Sequence, residues 1–266
     1  MSCMLDRFVW VLWLFLSGGL FAAESAPVVK NWEIEGVQRQ ALVYFPEGKP
    51  KTGENYPLVF AFHGHGGNMK HAAFAFGIHR FWPDAIVVYP QGLKTPGQIT
   101  DPEGRRSGWQ ANAGDQEDRD LKFYDAMLET LRKEHQADAG RVFSMGHSNG
   151  AAFTYLLWAE RGDTLTGVAP SAAVFIPKKG PLAPKPVLHL AGWNDPLVKY
   201  TWQERMMHLL LKVNQCKGKP EPWSKDEKAY TYHSDAAKTT VFYIHDGEHG
   251  WPEIGGELVT NFFKSL

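Results

Sequence analysis

The sequence predicts an α/β protein with a mostly parallel sheet that helices cover on both faces. Short apolar runs such as LVFAF (58–62) and IVVYP (86–90) lead into loops, as is typical of strands buried on both faces. From Asp118 onward, DRDLKFYDAMLETLRKEH places leucines and a tyrosine at helical spacing. Strands that alternate with helices in this way imply a parallel sheet between two helical layers.

The individual elements follow from local patterns. WEIEGVQRQALVYFP alternates apolar and polar residues around Gly36, which predicts a pair of strands ending at Pro46. Asp118 or Asp120 is available to cap the helix that follows it. The other expected elements are strands over 58–62, in AIVVYPQG, over 142–145, in LTGVAP, in PVLHLAG and in TTVFYIHDG, and helices from about 149, over about 201–213 and at the C-terminus.

Charge and length limit the classes of protein and partner. The chain has 28 Lys and Arg against 29 Asp and Glu, a formal net charge of -1. No field of one sign would draw it to nucleic acid or to an anionic membrane, so we expect neither as a partner. The 266 residues contain no convincing linker, which favours a single catalytic domain over residues 26–266.

Residues 1–25 have the layout of a secretory signal peptide. An apolar run from Phe8 to Leu16 is followed by small residues before Pro27. An uncleaved anchor is the alternative, but the stretch 8–21 is short for a membrane span of about 20 apolar residues. We therefore expect a secreted or periplasmic protein without stable membrane association after processing. Only Cys216 then remains, so no intramolecular disulfide is expected.

The pentapeptide GHSNG, Gly146 to Gly150, predicts that Ser148 is a nucleophile. It lies between an apolar strand and a helix, the context that a nucleophile elbow requires. The two glycines remove side chains that would clash where the backbone turns sharply. A serine in an ordinary glycine-rich turn is the alternative, and the strand-turn-helix context favours the nucleophile.

A serine hydroxyl needs a neighbouring base to take its proton, and histidine is the usual one. His249, in HDGEHGWP, lies just after the last predicted strand, where the partner of the elbow should arrive. His245 is the nearest rival, but it falls at the strand end itself. His63, His65 and His189 lie near other strand ends, and for each of them a hydrogen-bonded structural histidine is the alternative.

Asp195, in LAGWNDPLVKY, is the expected third member, which holds the tautomer of the imidazole and stabilises its charged form. It directly follows a predicted strand. The resulting order of serine, aspartate and histidine along the chain is the one expected for α/β-hydrolases. Asp163, Asp246 and Glu248 are alternatives, although Asp163 lies in a loop entering a strand and the other two crowd the loop of the histidine.

An oxyanion in the reaction needs preorganised hydrogen-bond donors. We expect the backbone N–H groups of Asn149, just after the nucleophile, and of His65, in the loop HGHGG. HGH also suggests a metal site, but two histidines with no carboxylate or cysteine nearby make an incomplete ligand set. We therefore expect no metal and no cofactor.

Five motifs, in this order, resemble the polyhydroxybutyrate depolymerase and feruloyl esterase group of secreted α/β-hydrolases: AFHGHGG, SGWQANAGDQEDRDLKFYDAMLETL, RVFSMGHSNGAA, LAGWNDPLVKY and GEHGWP. The resemblance spans roughly residues 55 to 255. It implies the α/β-hydrolase fold, a hydrolase of carboxylic esters, and a triad that carries onto Ser148, Asp195 and His249. The connection SAAVFIPKKGPLAPKP leaves no room for a large lid, so we expect an open site.

The expected function is that of a secreted serine esterase that acts through an acyl-enzyme on short-chain or hydroxycinnamoyl esters. Trp109 and Trp251, near the site motifs, are expected to line a substrate subsite, with structural packing as the alternative. The other functions considered are a polyhydroxyalkanoate depolymerase, a serine peptidase of similar fold and a binding protein without catalysis on the same scaffold.

Overall fold

The computed structural model describes residues 26–48, 50, 53–97, 99–178, 180–223, 228–236 and 238–266, and the predicted signal peptide lies outside these. The strands are β1 (Val28–Ile34), β2 (Val37–Tyr44), β3 (Tyr56–Phe62), β4 (Ile86–Pro90), β5 (Leu93–Lys94), β6 (Ser107–Gly108), β7 (Ala137–His147), β8 (Gly167–Ser171), β9 (Val187–Gly192), β10 (Cys216–Pro222), β11 (Ala229–Ser234) and β12 (Thr240–His245). The α-helices are α1 (Met69–Phe76), α2 (Ile78–Phe81), α3 (Arg119–His135), α4 (Asn149–Arg161), α5 (Tyr200–Val213) and α6 (Gly255–Lys264). Two 3₁₀ helices cover Asp115–Asp118 and Gly162–Thr164.

Ten of these strands form one sheet in the order β1-β2-β4-β3-β7-β8-β9-β12-β11-β10. The strands from β4 to β12 in this order are parallel to one another, while β1, β2, β10 and β11 pair antiparallel at the two ends. Because the carboxyl ends of parallel strands meet at one edge of the sheet, the loops that follow them converge there. β5 and β6 form a separate two-stranded ribbon.

The core has two layers, one on each face of the sheet. Side chains of β3 alternate between them: Phe60 packs with α3 and α4, and Val59 packs with α1 and α6. The helices α3, α4 and α5 cover the first face, and α1, α2 and α6 cover the second. The predicted α/β-hydrolase architecture, a mostly parallel sheet with helices on both faces, is confirmed.

The structure differs from the prediction at the start of α3. Asp118 has a positive φ of 58° and makes no side-chain capping bond; its carboxylate accepts the N–H of Gly114 instead. Asp120 is buried and pairs with Arg39 at 2.8 Å, which satisfies two charges inside the protein. The prediction that either aspartate caps the helix is therefore wrong, since both carboxylates bind elsewhere.

The described residues of the connection between β8 and β9 contain no helix. None of the helices in the described part of the chain combines the length and the apolar character that a membrane crossing requires.

Candidate active site

Ser148 occupies the sharp turn between β7 and α4. Its backbone, at φ 55° and ψ -121°, has a conformation that glycine adopts far more readily than other residues. A Cβ added at Gly146 would lie 2.4 Å from the carbonyl oxygen of Gly150, and one added at Gly150 would lie 2.2 Å from that of Phe62. Both positions therefore require glycine, because the strand and the helix approach each other too closely for a side chain.

The three residues expected to act together lie within hydrogen-bond distance in the structure. His249, in the loop after β12, has its Nε2 atom 2.8 Å from the Ser148 Oγ atom. Its Nδ1 atom lies 2.8 Å from Oδ2 of Asp195, which follows β9. The side chain of Asp195 is fully buried and that of His249 is 18% exposed. In this series of three residues, the carboxylate is therefore closed to solvent and the imidazole beside Ser148 is partly open to it.

Asp195 is held by groups that the sequence did not indicate. Its Oδ1 atom accepts the backbone N–H groups of Leu197 and Val198, each at 2.9 Å. The side-chain amide of Gln203, on α5, donates to Oδ2 at 3.2 Å. Three donors thus fix the carboxylate in the plane it needs to meet His249, and they compensate the burial of its charge.

His147, which the sequence reasoning passed over, supports the loop of His249. Its Nε2–H donates to the backbone carbonyl of His249 at 2.9 Å. Burial, together with a smaller effect of the neighbouring imidazole of His249, lowers the pKa of His147 to about 4, so His147 is neutral near pH 7. It therefore serves as a neutral hydrogen-bond donor, and its position beside Ser148 in GHSNG was the available signal.

The N–H groups expected to stabilise an oxyanion lie at the pocket that contains Ser148. Both His65 and Asn149 line this pocket. Asn149 begins α4, and the first N–H groups of a helix have no partner within the helix. The backbone N–H of His65 donates no hydrogen bond to another described residue. Both groups are thus available to a ligand.

A segment that we call the clamp, residues 101–109, holds the loop that carries His65. Gly66 N–H donates to the Ser107 carbonyl at 2.6 Å, and the Ser107 hydroxyl donates to the Gly67 carbonyl at 2.5 Å. The Oδ1 atom of Asn149 accepts the backbone N–H of Trp109 at 2.7 Å, and its Nδ2 atom donates to the backbone carbonyl of Trp109 at 3.0 Å. The clamp therefore joins the loop to the start of α4.

Asp101 anchors the first part of the clamp. It accepts a hydrogen bond from His65 Nε2 at 2.9 Å and from the backbone N–H of Arg106 at 2.9 Å. These hydrogen bonds, with that from His65 the largest, lower the pKa of Asp101 to about 2, so it is ionised near neutral pH. The His65 ring packs over Gly108, where a Cβ would lie 2.6 Å from its Nδ1 atom. No local sequence pattern indicates Asp101, because its partner His65 lies 36 positions away in the sequence.

The prediction of an aromatic substrate subsite is wrong for Trp109. Its side chain is fully buried against Phe62 and Phe153, and its indole N–H donates to the His63 carbonyl at 2.9 Å. The packing alternative therefore holds, because Trp109 turns into the core just below the clamp. Trp251 packs against Phe76, with ring centroids 4.7 Å apart, and lies outside the pocket of Ser148.

The rival histidines have structural contacts. His245 accepts the N–H of Gly247, His63 accepts the N–H of Gly92, and His189 lies 2.7 Å from the hydroxyl of Tyr155. None of these three lines the pocket of Ser148. The alternative acid Asp246 pairs instead with Lys228 at 2.5 Å.

The pocket has a volume of about 330 Å³ and lies open at the surface beside Ser148 and His249. Besides the site residues, its walls include Pro96, Gly97, Ile99 and Thr100, the segments 172–174 and 197–198, and Arg106, Ala111 and Ala152, and most of these are apolar or small. Sequence reasoning did not find these walls. A larger cavity of about 480 Å³, between α4 and the connection that follows β8, contains none of the predicted site residues.

Comparisons with known proteins bear on the fold and on the type of reaction. No family model matches the chain. The chain is 25% identical over 238 residues to a probable feruloyl esterase C from Aspergillus clavatus, covering 86% of this chain and 82% of that protein. It is 24% identical over 222 residues to feruloyl esterase C from Emericella nidulans, covering 82% of this chain and 78% of that protein.

Among solved structures, the fold is similar to an acetyl xylan esterase from Aspergillus awamori. The TM-score is 0.63 at 14% sequence identity, and the match covers 90% of this chain and 100% of that one. At this sequence identity the structural similarity supports the fold alone. The sequence relatives support the type of reaction. The chain therefore has the α/β-hydrolase fold, and its sequence relatives among the feruloyl esterases support a carboxylic-ester hydrolase.

Proposed function

We propose that the protein is a serine esterase that works through an acyl-enzyme. The observation that carries this proposal is the hydrogen-bonded series Ser148, His249 and Asp195, with 2.8 Å at each step. In the proposed reaction the Ser148 Oγ atom attacks the ester carbonyl while His249 Nε2 takes its proton. Asp195 keeps the Nδ1–H of His249 directed at itself and stabilises the imidazolium that forms.

The tetrahedral intermediate places a negative charge on the former carbonyl oxygen. The N–H groups of His65 and Asn149 are the proposed donors to that oxygen, supported by their position at the pocket and by their lack of other acceptors. The imidazolium of His249 then protonates the leaving alcohol. In the second half of the reaction His249 activates a water molecule, which releases the acid and restores the Ser148 hydroxyl.

The proposed substrates are short-chain or hydroxycinnamoyl esters. Two sequence relatives are named as feruloyl esterases, and the pocket is at the lower end of the size range of ligand pockets. Its walls include Val174, Leu197 and Val198, which suit an apolar acyl chain or an aromatic ring. No aromatic side chain lines it among the described residues, so preference for a hydroxycinnamoyl group would depend on shape and apolar contact.

We also propose that residues 1–25 direct export and are removed, as their signal-peptide layout suggests. Residues 26–266 would then act outside the cytoplasm as a single catalytic domain. N-terminal sequencing of the protein secreted by an expressing host tests this, and a mature chain that still begins at Met1 would refute it.

The function is tested with three substrates: methyl ferulate, a short-chain p-nitrophenyl ester and a suspension of poly(3-hydroxybutyrate). Ser148→Ala should lose almost all hydrolysis of the soluble esters, since the remaining oxyanion donors cannot replace the acyl-enzyme route. Ser265→Ala, which changes a serine at the C-terminus remote from the pocket, is the matched control and should keep full activity.

Ser148→Ala activity above a tenth of wild-type kcat would overturn the role of Ser148. Rapid clearing of the suspension with negligible ferulate release would favour the depolymerase. Failure of a fluorophosphonate probe to label the wild-type protein at Ser148 would favour a binding protein without catalysis. Cleavage of short peptides in preference to all esters would favour a serine peptidase.

A further inference from the structure

Arg106 lies in the wall of the same pocket as Ser148 and His249. Among the described residues that line the pocket, it is the one with a permanent charge, and no aspartate or glutamate lines it. Its side chain is 52% exposed. A substrate in the pocket therefore meets a single positive group on walls that are otherwise neutral and largely apolar.

The guanidinium of Arg106 is positioned by the protein. Its Nη2 atom donates to the carbonyl and to the hydroxyl of Thr100, both at 3.2 Å. Its Cδ atom and its guanidinium both pack over Gly66, where a Cβ would lie 3.4 Å from Cδ and 3.5 Å from Nη1. Gly66 follows His65, the proposed oxyanion donor, so the charge is held beside the loop that would bind the reacting carbonyl.

Asp101 is close enough to form an ion pair with Arg106, but without a hydrogen bond to its guanidinium. The Arg106 Nε atom lies 3.9 Å from Oδ2 of Asp101, which is too long for a hydrogen bond, and that oxygen already receives His65 Nε2. Glu103, the other acid of the clamp, pairs with Arg105. The Nη1 atom of Arg106 makes no hydrogen bond to the described part of the protein, so its two N–H groups can donate to a ligand.

We infer that Arg106 forms an anion subsite, and that the esters this enzyme prefers carry a carboxylate near the scissile bond. The positive charge and the unpaired Nη1–H groups of a guanidinium bind a carboxylate by charge-assisted hydrogen bonds. The carboxylate can belong to the acyl group, as in a half-ester of a dicarboxylic acid, or to the alcohol. The inference rests on the proposed esterase function and adds a substrate class to it.

Two matched pairs of esters test the subsite and locate the carboxylate. Mono-p-nitrophenyl adipate against p-nitrophenyl hexanoate places a carboxylate in the acyl group, and 4-acetoxybenzoate against 4-acetoxybenzamide places it in the alcohol. In the wild type at low salt, kcat/KM should favour the anionic member of at least one pair. Sodium chloride should reduce that preference, because the attraction is partly exposed to solvent.

Arg106→Gln should lower the anionic-to-neutral ratio of kcat/KM in that pair by about tenfold or more, mainly through KM. Arg106→Lys should keep part of the preference, since it retains the charge and loses the planar fork. Arg105→Gln removes the neighbouring, 78% exposed arginine, which does not line the pocket, and should leave the ratio unchanged.

Ratios unchanged by Arg106→Gln in both pairs would overturn the inference, as would an equal effect of Arg105→Gln. Ser148→Ala provides the blank for spontaneous hydrolysis. If wild-type protein cleaves none of the four esters faster than this blank, the proposed function fails and the subsite falls with it. Cleavage of the neutral esters with no anionic preference would refute the subsite alone.

Discussion

The Asp195 carboxylate has a different task for each of its oxygen atoms. Oδ1 is saturated by two backbone N–H groups, while Oδ2 is directed at His249. An asparagine side chain could keep the first set of contacts but would present either an N–H group or a neutral oxygen to the imidazole. The negative charge, and not the anchoring, is therefore what the proposed mechanism requires at this position.

Asp195→Asn should fold normally and lower kcat by about a thousandfold or more, because the imidazole loses its preferred tautomer and its compensating charge. Steady-state kinetics on p-nitrophenyl hexanoate measure this. Asp246→Asn, which changes the exposed aspartate in the loop of His249, is the matched control and should stay within about twofold of wild type. Equal losses in the two variants would mean that Asp195 has no special role.

Gly150 makes the closest approach at the elbow, since an added Cβ would lie 2.2 Å from a backbone oxygen of β3. Backbone atoms in the middle of the sheet cannot move aside without loss of the hydrogen bonds between strands. Gly150→Ala should lower the free energy of unfolding by about 3 kcal/mol or leave no soluble protein. Gly140→Ala, at an exposed glycine whose nearest neighbour would be 3.5 Å away, is the control for urea unfolding. A Gly150→Ala protein as stable as this control would contradict the geometry.

The sequence predicted which side chains meet where each residue follows a strand, and it was wrong where the direction of a side chain depends on distant contacts. Ser148, Asp195 and His249 each follow a strand of the parallel sheet, so their meeting follows from topology. Trp109 is equally close to a motif in sequence, but Phe62 and Phe153 draw it into the core. No local pattern reports that packing.

At the scale of elements, the clamp ties together two parts of the site that are remote in sequence. Asp101→Ala should release the His65 side chain and two backbone N–H groups, and the loop of the proposed oxyanion donor should lose part of its order. We expect kcat on the neutral hexanoate ester to fall about tenfold or more, with KM within about twofold, because donor placement matters most in the transition state.

Glu103→Gln, at an exposed acid in the same clamp, is the control for Asp101→Ala and should leave both constants near the wild-type values. Thermal unfolding measured in parallel separates loss of order at the site from loss of the fold. A rise in KM with kcat unchanged would show that Asp101 affects binding and not donor placement.

The antiparallel pair β10 and β11 was not predicted from the sequence, and neither were α1, α2 and the ribbon of β5 and β6. β10 contains Gly218, Pro220 and Pro222, and its burial pattern is almost entirely exposed. Proline and glycine are rare inside strands, and an edge strand without a buried face has no apolar alternation. Its register against β11 also shifts between Lys217 and Glu221, so pairing here is irregular.

At the scale of the whole molecule, three histidines are buried in neutral form. Burial is the main cause that lowers the pKa values of His63, His147 and His189 to about 4. In the unfolded chain they titrate near 6.5. Between pH 6.5 and 4 the unfolded state therefore binds more protons than the folded state, and the free energy of unfolding must fall as the pH falls.

Urea unfolding between pH 7.5 and 4 measures this loss, in which each buried histidine contributes a slope of up to about 1.4 kcal/mol per pH unit. His189→Gln should reduce the slope by up to that amount, since His189 is remote from the pocket and fully buried. His71→Gln, at an exposed position of α1, should not change it. A His189→Gln slope equal to that of wild type would show that His189 is protonated in the fold.

The overall architecture was the most predictable level, because runs such as LVFAF report burial on both faces of a strand. The pocket was not predictable, since residues 96–97, 99–100, 172–174 and 197–198 meet only through crossovers between strands. Arg106 illustrates the limit: nothing in RRSGW distinguishes it from Arg105, and only the folded loop places one arginine in the pocket and the other outside.

The backbone of Ser148 has an evolutionary consequence. Any residue other than glycine bears strain of about 1–3 kcal/mol at φ 55° and ψ -121°. The serine therefore lowers the free energy of unfolding relative to glycine at this position. Ser148→Gly should therefore raise the melting temperature while it removes hydrolysis, and calorimetry of the two proteins measures the difference. A lineage of this chain released from selection for activity would gain stability by drifting to glycine at position 148, whereas Gly146 and Gly150 would stay as they are.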